Sequence, residues 1–106
     1  MSVAFFPVAS ADEIPPGKCL CVEVRGKQIL IAHLEDGFFA IENRCSHAGN
    51  PLDARQIHKG AQVACPRHGA RFDLRTGAAK SAPAYLSVAT FPVRLNGAAV
   101  EIALPD

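Results

Sequence analysis

The sequence predicts an all-β domain, an antiparallel β-sandwich or partial barrel that carries a loop-rich insertion. Three features point there. Short apolar runs alternate with tight-turn signals at Gly26, Asp36-Gly37 and Asn96-Gly97. No helical periodicity outlasts a turn or two. The composition, about half apolar over 106 residues with eight Gly and eight Pro spread along the chain, suits one compact β-rich domain and argues against disorder. At this length folding hides roughly two-thirds of the unfolded surface, enough for one real core.

The elements follow in order. Residues 3–9 form a first apolar strand. Ser10-Ala11-Asp12-Glu13 has capping-box spacing, enough for one helical turn before Pro15-Pro16-Gly17 ends it. Strands over 18–25 and 27–34 flank Gly26, and Glu35-Asp36-Gly37 turns the chain into a strand over 38–42. Regularity breaks between 43 and 83, where Gly, Pro and His crowd loops around short strands near 60–64 and 71–74. It returns with strands over 86–95 and 98–104 around Asn96-Gly97, a pair suited to two positive-φ turn positions. There is no internal repeat.

Charge is uneven. Residues 44–80 carry Arg44, Arg55, Lys59, Arg67, Arg71, Arg75 and Lys80 against Asp53 and Asp73, a net of +5, whereas 1–43 sum to −3 and 81–106 to −1. A basic lobe on an acidic body suits solubility or docking to an acidic partner. No apolar run approaches the ~20 residues of a membrane span. The N-terminus lacks the basic and apolar regions of a signal peptide. A cytoplasmic protein is expected, without membrane or nucleic-acid partners, and its four cysteines suit metal better than disulfides.

The chemistry concentrates in two short motifs, Cys45-Ser46-His47 and Cys65-Pro66-Arg67-His68, separated by seventeen residues. A common zinc finger places two thiolates before two imidazoles. Here each motif supplies one of each. That order suits two metal atoms side by side, one taking both thiolates and the other both imidazoles; a single zinc held by all four is the competing arrangement.

On these motifs and their surroundings the chain resembles the Rieske ferredoxins over nearly its whole length. The resemblance implies the Rieske fold, an antiparallel β-sandwich of stacked sheets with a loop-rich cluster-binding subdomain at about 43–84 of a single domain, 1–106. It implies one [2Fe–2S] cluster per chain, held by Cys45, His47, Cys65 and His68. Replacing two thiolates by neutral imidazoles removes negative charge and raises the reduction potential. Gly49 and Gly69 are expected where backbone N–H groups approach the cluster sulfurs, Pro51 and Pro66 stiffen the loops, and Ala82-Pro83-Ala84 matches a covering third loop.

Departures from the respiratory Rieske type narrow the choice. The extra disulfide of that type would need thiols at Asn50 and Arg67. Its serine and tyrosine hydroxyls correspond to Ala70 and Phe72. Without those donors the reduced state is less stabilised, so a potential near the low end of the Rieske range, roughly −150 mV, is expected. The chain most resembles soluble ferredoxins of bacterial aromatic-ring dioxygenase systems. That implies a monomeric one-electron carrier rather than an enzyme, taking electrons from an NAD(P)H-dependent flavoprotein ferredoxin reductase and passing them to a terminal oxygenase. Docking is expected at the tip around His47 and His68, ringed by Arg44, Arg67 and Arg71. The competing assignments are the small Rieske subunit of a nitrite reductase and, from another class, a zinc-stabilised binding module.

Other chemistry-bearing residues have simpler explanations. Cys19 and Cys21 sit two apart on a strand, on the face opposite Leu20, Val22 and Val24, where they pack as small side chains. His33 shares a face with Ile29 and Ile31 and reads as a packed or edge histidine. His58 reads as a solvated loop residue, and Phe38-Phe39 as core and surface of one strand.

Overall fold

The computed structural model describes residues 3–44, 52, 57–65, 69–82 and 86–105. Among them run nine strands: β1 (Val3–Ser10), β2 (Cys19–Val24), β3 (Lys27–Leu34), β4 (Gly37–Glu42), β5 (Gln62–Ala64), β6 (Arg71–Asp73), β7 (Thr90–Phe91), β8 (Val93–Asn96) and β9 (Ala99–Pro105). They make three antiparallel sheets, ordered β1-β9-β8, β2-β3-β4-β7 and β5-β6. The expected all-β architecture of stacked sheets is present.

The single helical turn is also where the capping spacing placed it, a 3-10 turn over Ala11–Glu13. The Ser10 N–H donates to Glu13 Oε1 at 2.8 Å. The turn is pinned to the β8–β9 hairpin, because the Ala11 N–H donates to the Ala98 carbonyl at 2.7 Å. It delivers Ile14, fully buried, into the core.

Ile29, Leu30, Ile31 and Ala32 of β3 are all fully buried. Successive strand residues point to opposite faces, so both faces of the β2-β3-β4-β7 sheet are covered. On one face Ile29, Ile31 and Ala40 pack with Ile14 and with Val100, Ile102 and Leu104 of β9. On the other, Leu30, Ala32 and Ile41 pack with Val63 of β5, Phe72 of β6 and Leu52, Cys65, Ala70, Leu74 and Val88. The four-stranded sheet is therefore the middle of three layers. Each fully buried Ile or Leu contributes about 1.5–3 kcal/mol, so a polar replacement on either face of β3 loosens a layer.

Three expectations are corrected. Phe38 and Phe39 do not divide into core and surface: Phe38 packs toward the β9 side and Phe39 toward the β5-β6 side. The β5-β6 layer covers the face that the strand pattern assigned to solvent. Residues 86–95 are not one strand. β7 pairs with β4 through Ala40↔Phe91 and Ile41↔Thr90, and β8 pairs with β9 in a different sheet. Pro92, which has no N–H to give a ladder, marks the switch, while its carbonyl still accepts the Ala103 N–H at 3.0 Å. The last hairpin turns one residue later than Asn96-Gly97 suggested. Asn96 pairs with Ala99, so Gly97 and Ala98 are central. Of these only Gly97 has positive φ, at 62°, the pattern of a II′ turn. The β2–β3 turn does place both central residues at positive φ, Arg25 at 51° and Gly26 at 80°.

The β5-β6 layer is tied to the rest at its far turn. Asp73 Oδ1 accepts the N–H groups of Arg75 at 2.7 Å and Thr76 at 3.1 Å. Arg75 reaches back to the β3–β4 turn, with Nε donating to Asp36 Oδ2 at 3.1 Å and Nη2 to Oδ1 at 2.9 Å. Gly77, at φ 76°, accepts the Val88 N–H at 2.8 Å. Its Cα lies so close to the Val88 carbonyl that a methyl there would overlap the oxygen.

Gly77→Ala should therefore lower stability by about 2–4 kcal/mol, combining strained φ with overlap. Gly97→Ala, equally positive in φ but facing open space, should cost about 1–2 kcal/mol. Denaturant midpoints of the two variants check the ranking.

Hydrogen bonding from Arg94 holds the Glu101 carboxyl below its ordinary value of 4.5. A depressed folded-state value means stabilisation that is present above 4.5 and lost as the pH falls through the folded value. Glu101→Gln should flatten the acid limb of stability below pH 4.5 and leave the slope near neutrality unchanged, as measured by denaturant midpoints across pH.

Candidate metal centre

Of the four expected ligands, Cys65 lies within the described residues; Cys45, His47 and His68 lie outside them, as do Gly49, Pro51, Pro66, Pro83 and Ala84. Cys65 leaves β5 just past the last ladder pair, Ala64↔Arg71. Its N–H donates to the Ala70 carbonyl at 2.7 Å, and its carbonyl accepts the Gly69 N–H at 2.9 Å. Both backbone groups of Cys65 thus close the loop that joins β5 to β6. Gly69 adopts φ 73°, a left-handed conformation that glycine takes without strain. Its role differs from the expected one: its N–H is aimed at the Cys65 carbonyl, and the position is solvent-exposed.

The Cys65 side chain is 1% exposed and packs among Leu52, Ala70 and Phe72. A thiolate against such apolar walls is costly unless a cation shares its charge. Thiolates and imidazoles are the donors that iron takes in a mixed-ligand cluster. The donor set therefore fits a metal cluster. Ala70 and Phe72, buried beside Cys65, offer no side-chain donor.

Neighbouring anchors aim the surrounding loops. The Arg71 N–H donates to Ser81 Oγ at 3.0 Å, and the Lys80 N–H to the Arg71 carbonyl at 2.7 Å. These bonds fix the start of the 82–84 segment beside β6. Nothing in the spacing of the ligand motifs marked Ser81; a hydroxyl immediately before Ala82-Pro83 was the available signal. On the other side, Asn43 is 2% exposed and its N–H donates to the Gln28 carbonyl at 2.8 Å, so the sheet end is fixed two residues before Cys45 in sequence.

The basic lobe is less uniform than its sequence. Arg75 is spent on Asp36. Arg44, Lys59 and Lys80 are exposed and Arg71 is half-buried, while Arg55 and Arg67 lie outside the described residues.

Among the described residues no three His, Cys, Asp or Glu side chains converge to hold a metal. Cys19 packs against the β5-β6 side of the middle sheet, and Leu20, Val22 and Val24 against the β9 side, as expected. Burial, and then the neighbouring Cys21, push the Cys19 thiol up to about 11, so it remains a protonated, poorly nucleophilic thiol at neutral pH. His33 is packed: its ring stacks on Phe38 at 4.0 Å, and Nδ1–H donates to the Ile14 carbonyl at 2.7 Å. His58 is not a solvated loop residue. It is half-buried, and its backbone exchanges bonds of 2.7 and 3.3 Å with Gln62 around the tight turn 59–61.

Comparison with known proteins agrees with this geometry. A family model described as Rieske [2Fe-2S] domain matches residues 4–92. The ferredoxin component of the naphthalene 1,2-dioxygenase system of Pseudomonas aeruginosa is 36% identical over 104 residues, covering 98% of this chain and 99% of that one. The ferredoxin of carbazole 1,9a-dioxygenase from Nocardioides aromaticivorans IC177 superposes with TM-score 0.86 at 33% identity, over 93% of this chain and 96% of that one. A chain from a complex of reduced oxygenase and oxidized ferredoxin in carbazole 1,9a-dioxygenase matches with TM-score 0.83 at 27% identity, over 93% and 92% of the two chains. A nitrite reductase small subunit from Mycobacterium tuberculosis, with TM-score 0.83 at 21% identity over 100% and 99% of the two chains, shares the fold. The chain belongs to the Rieske [2Fe–2S] domain family.

Proposed function

We propose that this chain is a one-electron carrier of a multicomponent aromatic-ring-hydroxylating oxygenase system. It takes electrons from an NAD(P)H-dependent flavoprotein reductase and delivers them to a terminal oxygenase. The observation that carries this is near full-length similarity to a dioxygenase ferredoxin component, 36% identical over 98% of the chain. The nitrite reductase assignment rests on fold alone, at 21% identity. The chain acts as one domain, 1–106, with its cluster-binding part at about 43–84, and works as a monomer in the cytoplasm. No helix among the described residues is long and apolar enough to cross a membrane.

Cys45 and Cys65 would hold one iron, and His47 and His68 the other. The bound [2Fe–2S] group supplies the one-electron couple. The residues of the chain then set its surroundings. Cys65 brings a thiolate into an apolar wall, and its two backbone bonds keep that donor at the loop base. Leu52, Ala70 and Phe72 exclude water from the thiolate side. Ala70 and Phe72 add no hydroxyl, so excess negative charge is not drawn off by hydrogen bonds, and the potential lies near the low end of the family range, roughly −150 mV.

Anaerobically purified protein should contain iron and acid-labile sulfide in equal amounts. On reduction it should give a paramagnetic resonance spectrum of mixed thiolate–imidazole type. Cys65→Ser should lose most of the iron while far-ultraviolet circular dichroism retains β structure. Zinc in place of iron would overturn the carrier assignment.

Ala70→Ser places a hydroxyl at a position 1% exposed, beside Cys65. Redox titration should show a raised potential; no change or a fall would overturn the bonding argument.

A further inference from the structure

A cleft of about 390 Å³ lies beside the entrance to the first ligand motif, lined by Lys27, Gln28, Glu42, Asn43, Arg44 and Phe91, among others. Its charges come from the strand register. β3 and β4 pair as far as Ile29↔Glu42, and the Asn43 N–H bond to the Gln28 carbonyl continues that pairing. Just past that last bond, Arg44 lines the cleft together with Lys27. Two like charges lining one cleft repel each other unless an anion is shared between them.

No ion pair among the described residues holds either cation. The ion pairs among the described residues are Arg75–Asp36 and Arg94–Glu101, which involve neither cation. Gln28 has its side-chain amide on Glu23 at 2.8 Å, so it is not a donor held in reserve. Arg25, at the same hairpin tip, lies over the Phe6 ring at 5.1 Å and fixes the tip against β1. Glu42, the one acid lining the cleft, accepts the Ala89 N–H on Oε1 at 3.4 Å, and its own N–H donates to the Ala89 carbonyl at 2.8 Å. Lys27 and Arg44 thus face a cleft lined by a single carboxylate, Glu42, which pairs with neither of them, and by an aromatic wall.

Resting on the carrier assignment above, we propose that this cleft receives an Asp or Glu side chain of the redox partner, clamped between Lys27 and Arg44 against Phe91. The charge complementarity and the place argue for a protein-borne group. Arg44 immediately precedes Cys45 in sequence, so the cleft adjoins the chain leading into the first expected ligand, near where a partner must dock to exchange an electron. The contact would orient the partner from the side of the molecule, at residues outside the basic 44–80 segment as well as within it.

The test compares two charge reversals of equal net effect on cluster-loaded protein: Lys27→Glu in the cleft and Lys18→Glu before the far end of β2, about 20 Å away. The binding probe is hexacyanochromate(III), a redox-inert trianion, and the readout is paramagnetic broadening of backbone amide signals. Wild type and Lys18→Glu should broaden at residues 26–28, and Lys27→Glu should not. Reduced protein oxidised by ferricyanide at low ionic strength should react about tenfold more slowly in Lys27→Glu than in Lys18→Glu, the scale of local electrostatic steering. That gap should close in high salt, with Lys27→Gln intermediate and the midpoint potential unchanged. Equal behaviour of the two reversals would overturn the proposal. So would saturation of the cleft by micromolar benzoate, which would make it a small-molecule site. Protein that binds no reducible cluster would overturn the carrier assignment itself, and this proposal with it.

Discussion

The backbone of Cys65 does two things at once. Its N–H and carbonyl close the loop between β5 and β6, through Ala70 and Gly69, while its side chain is buried among Leu52, Ala70 and Phe72. A metal donor on a free loop would have to be ordered when the metal binds, at about 1–2 kcal/mol per residue. Here that ordering belongs to the fold. The loop base is an extension of the β5–β6 ladder, and that ladder is packed on the middle sheet through Val63, Phe72 and Leu74. The order of dependence runs from β3, buried on both faces, to the β5-β6 layer that covers one of them, to the thiol at the tip of that layer. A mutation far from Cys65, such as one at Gly77 where the layer meets Val88, therefore bears on the proposed metal centre through packing.

Much of this was legible in the residues. The β3 run, the turn at Gly26 and the one-turn helix are local events, governed by side-chain alternation, glycine's positive-φ tolerance and a capping acid, whereas Arg25, read as the end of a strand, takes the other positive-φ turn position. The two Cys–His motifs stood out because donor type and order carry meaning without any structure, though of their four donors only Cys65 lies among the described residues. What could not be read was set by contacts distant in sequence. The face that Phe39 occupies is covered by residues more than twenty positions away, so alternation within β4 marked it as surface. Pro92 was legible as a break in hydrogen bonding, but not as the point where the chain leaves one sheet for another. At the last hairpin, Asn96-Gly97 and Gly97-Ala98 both offer a glycine, and the pairing with β9 rather than the dipeptide decides the register.

Charge follows the same rule. Counting residues gave a basic lobe, but pairing decides which cations remain available. Arg75 is drawn to Asp36, Arg94 to Glu101, with its guanidinium also 4.1 Å from the Phe5 ring centre, and Arg25 lies over Phe6. These three serve the fold, holding a turn, a sheet face and a hairpin tip. The exposed Arg75–Asp36 pair contributes little energy, typically 0–1 kcal/mol, and Arg94–Glu101 has its carboxylate buried, but both remove charge from the field that a partner meets. Lys27, outside the basic segment, faces the same cleft as Arg44 and joins the field that remains. The electrostatic face of the molecule is thus not the one the linear count describes.

The apolar wall at Cys65 also couples stability to redox behaviour. Phe72 is fully buried, opposite Val63 on β5 and bridged to Ala79, and Ala70 is 1% exposed. A hydroxyl at either place needs a partner, because an unpaired buried hydroxyl costs roughly 1–3 kcal/mol. With no cluster to accept its bond, a serine or tyrosine there would burden the fold. With the cluster in place, the same hydroxyl would find an acceptor and raise the potential. Alanine and phenylalanine avoid the first cost and forgo the second effect. The side chains that make this layer close-packed are therefore the same ones that, on the bonding argument, would keep the potential low, and a hydroxyl at either position acts on both properties together.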